Sequence, residues 1–300
     1  MTTLDDLAGL VAELKGLQIR NITMEKIKEK LAILLEGQPV IRVTYDCENT
    51  FVRSRVCPAN KNFSTLLDLI YPPTATQSYG RASVPNSQVL YASFNKGTSM
   101  DEIEVETKNT VQTIVFRPIQ SHKISLVAVG EIQAAAANGR TRVCGPKLVN
   151  RVEEWITSDR AQFNKYLFVD AFLAEVFSTK TAKSSDYAIS ACFADIIYEK
   201  YDMGVLFPSV RRDNGWNLAL PRGLFDKSCE VLMVMEEKIN GVYGYGIYDP
   251  DCKNLRSTNK FDPDGRIAWE RTQPTFHTSW TLSSGGSFPS DQVGWRPNRA

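Results

Sequence analysis

The feature that most constrains the fold is an ordering. A block of helical texture at residues 148–200 is flanked on both sides by short β-like runs. Within the block, Phe163, Leu167, Phe168, Phe172, Leu173, Val176 and Phe177 form one apolar stripe. Ile189, Cys192, Phe193, Ile196 and Ile197 continue it one helix later. Stripes at this spacing are core faces of helices. The runs at 41–45, 88–91, 113–116 and 125–129 are rich in β-branched and aromatic residues, and similar runs return at 204–207, 216–220 and 229–235. Strands, then helices, then strands again predict an α+β chain rather than regular βαβ alternation.

The two ends read differently. Leu4, Leu7, Val11 and Leu14 fall on one helical face, with Asp5 and Asp6 at the positive end of the helix dipole. A second amphipathic segment runs from Met24 to Leu35 and stops at Gly37-Gln38-Pro39. Residues 1–37 are therefore expected to be a helical extension, either packed on the core or held out as a docking arm, with packing preferred. Residues 38–237 are expected to form the main domain. Residues 238–300 turn to glycine, aspartate, serine and proline, and predict a partly irregular C-terminal extension, poorly ordered over 283–299.

Composition excludes several classes. A chain of 300 residues with 43% apolar residues can bury a full core. A net charge of +1 gives no basic field of the kind a nucleic-acid binder carries, so phosphate contacts should be local. The 6 cysteines form no C-x-x-C pair and the chain has only 2 histidines, so no metal site is expected. Asp5, Asp6 and Glu13 interrupt the first twenty residues, which do not read as a signal peptide. No apolar run is long enough to cross a bilayer, and free thiols suit a reducing cytoplasm.

Two blocks carry candidate chemistry. In the first, Ser78-Tyr79-Gly80-Arg81-Ala82-Ser83-Val84-Pro85 places an arginine beside a glycine. A short strand with Tyr91 follows, and then Asp101-Glu102-Ile103. Glycine lets backbone approach a ligand, and arginine can grip a phosphate through two parallel hydrogen bonds. In the second block a strand ends at Pro208, Ser209 follows directly, and Asn214-Gly215-Trp216-Asn217 leads into another strand. Ser209 lies in no G-x-S-x-G elbow and neither His122 nor His277 has a claim to be its base, which excludes a serine-hydrolase triad. The glycine-rich run at 241–246 lacks the G-x-G-x-x-G spacing and reads as a strand or hairpin. Ala134 to Ala137 with Asn138-Gly139 read as a short helix and turn.

Taken singly these residues have ordinary explanations: a surface arginine, a core tyrosine, a solvated acid, a turn serine. In their order along the chain they resemble the RES family, named for an arginine, a glutamate and a serine, whose members include NAD⁺-degrading toxins of toxin–antitoxin pairs. The resemblance spans roughly residues 40–235, and Asn164, Phe172, Phe177, Tyr187, Ile189 and Ser190 are similar to longer members. By position it assigns Arg81, Glu102 and Ser209 as catalytic residues and Tyr91 as a substrate contact. Asn217 is either a substrate contact or a structural hydrogen-bonding residue. Asp101 and Glu104 compete with Glu102, which is favoured because Ser99-Met100-Asp101-Glu102-Ile103 matches the family's helix start. Where members carry an aromatic residue and an asparagine after the arginine, this chain has Ala82 and Ser83.

The resemblance implies an ADP-ribosyltransferase-like fold and cleavage of the nicotinamide N-glycosidic bond of NAD⁺, with NAD⁺ as substrate and no cofactor. Nicotinamide leaves as a neutral molecule, so positive charge develops on the ribose, and a fixed carboxylate there stabilises the transition state. Water or inorganic phosphate could accept the ribosyl group. The alternatives are an ADP-ribosyltransferase that modifies a macromolecule and a non-catalytic nucleotide-binding module. A cognate Xre-type antitoxin is a partner implied by the resemblance alone.

Overall fold

The computed structural model describes residues 2–16, 23–58, 61–72, 76–181, 183–245, 247–251, 256–269 and 292–297. Two compact units emerge, each assembled from separate stretches of chain. Met1–Val43, Ala75–Ser87 and Ser125–Pro208 make the first; Thr44–Thr74, Gln88–Ile124 and Ser209–Ala300 make the second. The first is largely helical and the second is built on an antiparallel sheet, a mixture that fits the α+β class.

Helices Arg160–Phe177 and Ala188–Tyr201 supply the core of the first unit. Phe163, Phe172, Phe177 and Phe193 are buried, and Phe177 packs edge-to-face on Phe193 with ring centroids 5.8 Å apart. Leu167 is half-buried at the edge of a cluster containing Ile132, Val152 and Phe163, and Phe168 also stays half-buried. A parallel strand pair, Ile124–Ala128 with Gly204–Pro208, sets Leu126 opposite Gly204 and Ala128 opposite Leu206. The N-terminal helices pack rather than project. Leu4–Gly16 lies on Arg160–Phe177 and Met24–Leu34 on Ala188–Tyr201, burying Leu7, Val11, Leu14, Ile27, Leu31 and Leu34. Lys15–Glu175 and Lys28–Asp195, both at 2.6 Å, flank these seams. The first pair is exposed and adds less than about 1 kcal/mol, the second is half-buried, and the apolar faces hold the helices down.

One carboxylate interrupts that core. Asp170, 7% exposed, accepts the Gly130 N–H at 2.9 Å and the Gln133 N–H at 2.8 Å, capping the first turn of helix Glu131–Asn138. Gly130 has φ +82°, and a Cβ there would lie 3.0 Å from that of Ala174, so both conformation and space require glycine. At the other end Gly139, with φ +63°, closes the short helix expected there. Burial outweighs the amide hydrogen bonds and pushes the Asp170 carboxyl up to about 6.

In the second unit the strands run in the order Trp216–Pro221, Val89–Ser93, Phe51–Val56, Thr110–Pro118, Cys229–Gly244, Arg256–Thr258, each antiparallel to its neighbour. Ile247–Pro250 also pairs with Cys229–Gly244. That long strand continues beyond Glu237, where composition alone suggested a boundary, because Lys238 pairs with Thr110 and Ile239 is fully buried. Arg117 and Glu230, opposite each other and both 2% exposed, form an ion pair at 3.1 Å. Glu230 also accepts the Gly294 N–H at 3.2 Å and the Arg296 guanidinium at 3.1 Å, while Val231 and Trp295 exchange backbone hydrogen bonds at 2.8 Å. Residues 292–297, expected to be poorly ordered, are thus pinned by a buried acid that needs their donors. The rest of the 283–299 expectation lies outside the described residues. Among the described residues no helix is long and apolar enough to cross a membrane.

The Asp170 environment predicts a specific pH dependence. Between the ordinary aspartate value and about 6 the folded protein keeps a proton that the unfolded chain has released, so stability falls as pH rises through that window. Asp170→Asn lacks this dependence. Denaturant titrations from about pH 4 to about pH 7 should show wild type losing about 3 kcal/mol relative to the variant. Parallel curves would contradict the assignment.

Candidate active site

Strand Val89–Ser93 sets Tyr91 opposite Ala219 and Ser93 opposite Asn217. Cross-strand partners face the same side, as do residues two apart, so Tyr91, Ser93 and Asn217 share one face of the sheet. The chain then enters helix Lys96–Glu102, whose N-cap Asn95 accepts the Thr98 N–H at 2.8 Å. Ser99 Oγ accepts the Ser54 N–H at 2.8 Å and fastens the helix to strand Phe51–Val56. Glu102 is the last residue of this helix. The resemblance placed it at a helix start; the Asn95 cap sets the start earlier and carries Glu102 to the far end.

Ser209 opens a tight loop. Its N–H donates to the Gly215 carbonyl at 2.8 Å, and the Gly215 N–H donates to the Arg212 carbonyl at 3.0 Å. A Cβ on Gly215 would lie 2.9 Å from Thr98 Cγ2 and 3.0 Å from Ser209 Cβ, so the loop rests directly on the helix that carries Glu102. Strand Trp216–Pro221 follows at once and delivers Asn217.

These elements converge on one carboxylate oxygen. Ser209 Oγ donates to Glu102 Oε1 at 2.5 Å and Asn217 Nδ2 donates to the same atom at 2.6 Å. Asn217, 4% exposed, is held in turn by Ser93 Oγ, which donates to its Oδ1 at 2.7 Å. Ser209 Oγ accepts the backbone N–H groups of Arg211 and Arg212, each at 3.1 Å. Its hydroxyl therefore has one donor and two acceptor bonds already made. Among the described residues Glu102 Oε2 has no hydrogen-bond partner.

The two rival acids have other partners. Asp101 pairs with Arg212 at 3.2 Å and accepts the Tyr248 hydroxyl. Burial and the Asp101 bond hold the Tyr248 phenol above its usual range. Glu104, exposed, pairs with Arg211. Glu102 alone of the three meets Ser209 and Asn217. Arg81 belongs to the first unit. It sits in a tight turn in which Gly80 and Ser83 exchange backbone hydrogen bonds, with carbonyls on either side held by Ser184 and Tyr198. Its guanidinium lies 5.6 Å from the Tyr187 ring and 5.9 Å from the Phe207 ring, and its buried Nε has no hydrogen-bond partner among the described residues.

The RES domain family model matches residues 54–231. The chain belongs to the RES domain family. No curated protein matches it. The RES family is associated with NAD-related enzymatic activity and commonly pairs with antitoxins. The matched span contains Arg81, Tyr91, Glu102, Ser209 and Asn217, and also Ser93, Asp101 and Arg212. Tyr248 lies beyond it. Sequence reasoning did not find the supporting roles of Ser93, Arg212 and Tyr248. Ser93 could have been found from its two-residue spacing to Tyr91. Tyr248 gave no signal, since it lies 147 positions from the Asp101 it touches.

Close packing of the loop on the helix makes Gly215 a sensitive position. Gly215→Ala should lower stability by about 1–3 kcal/mol in urea titrations, the usual cost of overpacking. An unchanged midpoint would contradict the contact.

Proposed function

We propose that this chain cleaves the bond between nicotinamide and ribose in NAD⁺. The observation that carries the proposal is the one-sided arrangement of Glu102: Oε1 is held by two donors and Oε2 has no protein partner among the described residues. Such a carboxylate is oriented in advance, so it need not reorganise as charge appears.

In the proposed reaction the C1′–N bond breaks and both its electrons go to the nicotinamide nitrogen, which leaves neutral. The positive charge is shared by C1′ and the ribose ring oxygen, and Glu102 Oε2 stabilises it. Water attacks C1′ and loses a proton to solvent, giving ADP-ribose; inorganic phosphate attacking instead gives ADP-ribose phosphorylated at that same carbon. Arg81, with aromatic rings beside its guanidinium and an unused Nε donor, suits a pyrophosphate oxygen. Tyr91, on the face that carries Asn217, suits the nicotinamide ribose. The resemblance assigns Ser209 as catalytic; its saturated hydroxyl supports a role exerted through Glu102. An ADP-ribosyltransferase-like fold and an antitoxin partner belong to the same proposal and rest on family membership.

Purified protein incubated with NAD⁺, with and without phosphate, should release nicotinamide detectable by chromatography. Glu102→Ala should lower kcat by about 10²–10³-fold with an unchanged circular dichroism spectrum. No release under either condition rejects the proposal. Labelled ADP-ribose appearing on protein or nucleic acid would favour a transferase, and calorimetric binding of NAD⁺ without turnover would favour a binding module.

A further inference from the structure

The first unit holds a cavity of 560 Å³ that the chemistry at Glu102 does not use, and every residue lining it belongs to Met1–Val43 or Ser125–Pro208. Its size falls in the range of small-molecule sites, about 300–1,000 Å³. The wall is aliphatic and aromatic, formed among others by Ile132, Tyr166, Leu173, Phe193 and Ile197. Val127, Ala128 and Val129 place it at the carboxyl end of strand Ile124–Ala128, the end at which parallel strands present ligands.

Its polar groups select among ligands. Asp170 lines the cavity and already occupies the first turn of helix Glu131–Asn138, through the Gly130 and Gln133 amides. An incoming anion would meet that carboxylate and find the helix end taken. Glu36 and Lys200, also on the wall, are both exposed, and Lys200 lies 5.2 Å from the Tyr201 ring centroid. Gln38 lines the cavity too, and its Oε1 is buried without a hydrogen-bond partner among the described residues. A buried acceptor is unfavourable until a donor reaches it.

We propose that this cavity binds a compact, largely apolar ring compound that carries an N–H donor and no negative charge. The walls take the ring, the N–H meets Gln38, and a cationic substituent is accepted beside Asp170.

A series on one ring system tests each part: indole, 1-methylindole, tryptamine and indole-3-acetate, titrated into the full chain with methyl-labelled isoleucine and leucine observed by NMR. Indole and tryptamine should shift the Ile132, Leu173 and Ile197 methyls saturably. 1-Methylindole, lacking the donor, should bind about five- to tenfold more weakly, the effect of one hydrogen bond, and indole-3-acetate should bind most weakly. Leu173→Trp should fill the cavity and abolish the shifts. Should that variant fail to fold, Gln38→Met keeps the cavity and should bring indole down to the affinity of 1-methylindole. The proposal is overturned by no saturable shift with indole or tryptamine, by equal binding of indole and 1-methylindole, or by indole-3-acetate binding as tightly as tryptamine.

Discussion

Two hydrogen bonds to a single oxygen of Glu102 organise the second unit's candidate site. A carboxylate bond of this kind is worth about 1.5–3 kcal/mol in a protein, more than a neutral one. Its use here is directional, since donors on Oε1 leave Oε2 facing away from them. The geometry depends on three otherwise unrelated pieces of chain. The Asn95 cap fixes where the helix ends, the Ser209–Gly215 hydrogen bond fixes the loop, and the Ser93–Asn217 pairing fixes the amide. Moving any one of them would turn or release the carboxylate.

A second layer restrains the first. Asp101 ties Arg212 of the loop and Tyr248 of the hairpin to the helix that carries Glu102. Gly215 leaves no room between that helix and the loop. Ser209 then links backbone to carboxylate, with the Arg211 and Arg212 amides on one side of its hydroxyl and Glu102 on the other. The serine is better suited to aiming an acid than to touching a ligand, and a positioned acid is what electrostatic stabilisation of a ribosyl cation requires.

The parts legible in the sequence were those with long apolar periods. The Phe163 to Phe177 stripe emerged because apolar residues recur there at helical spacing, and strand 229–235 because it is a nearly continuous apolar run, buried throughout. Phe51–Val56 was missed because Arg53, Ser54 and Arg55 interrupt it; Arg53 is nevertheless accommodated, donating to the carbonyls of Leu69 and Tyr91, each at 2.8 Å. The true start of helix Lys96–Glu102 was hidden by Gly97, Thr98 and Ser99, weak helix formers, because it is set by one capping side chain, Asn95. Five site residues were named from family-like blocks, and the preference for Glu102 over Asp101 and Glu104 rested on the resemblance alone. Their partners, Tyr248, Ser209 and Arg211, come from more than a hundred positions away.

The central claim is that Ser209 acts through Glu102. The most direct measurement is the effect of Ser209→Ala on nicotinamide release in two backgrounds, wild type and Glu102→Ala. If the hydroxyl only holds the carboxylate, the substitution lowers kcat in wild type and adds no further loss once Glu102 is gone. The same fold-loss in both backgrounds would mean that Ser209 works on the substrate independently of Glu102, and would contradict the account.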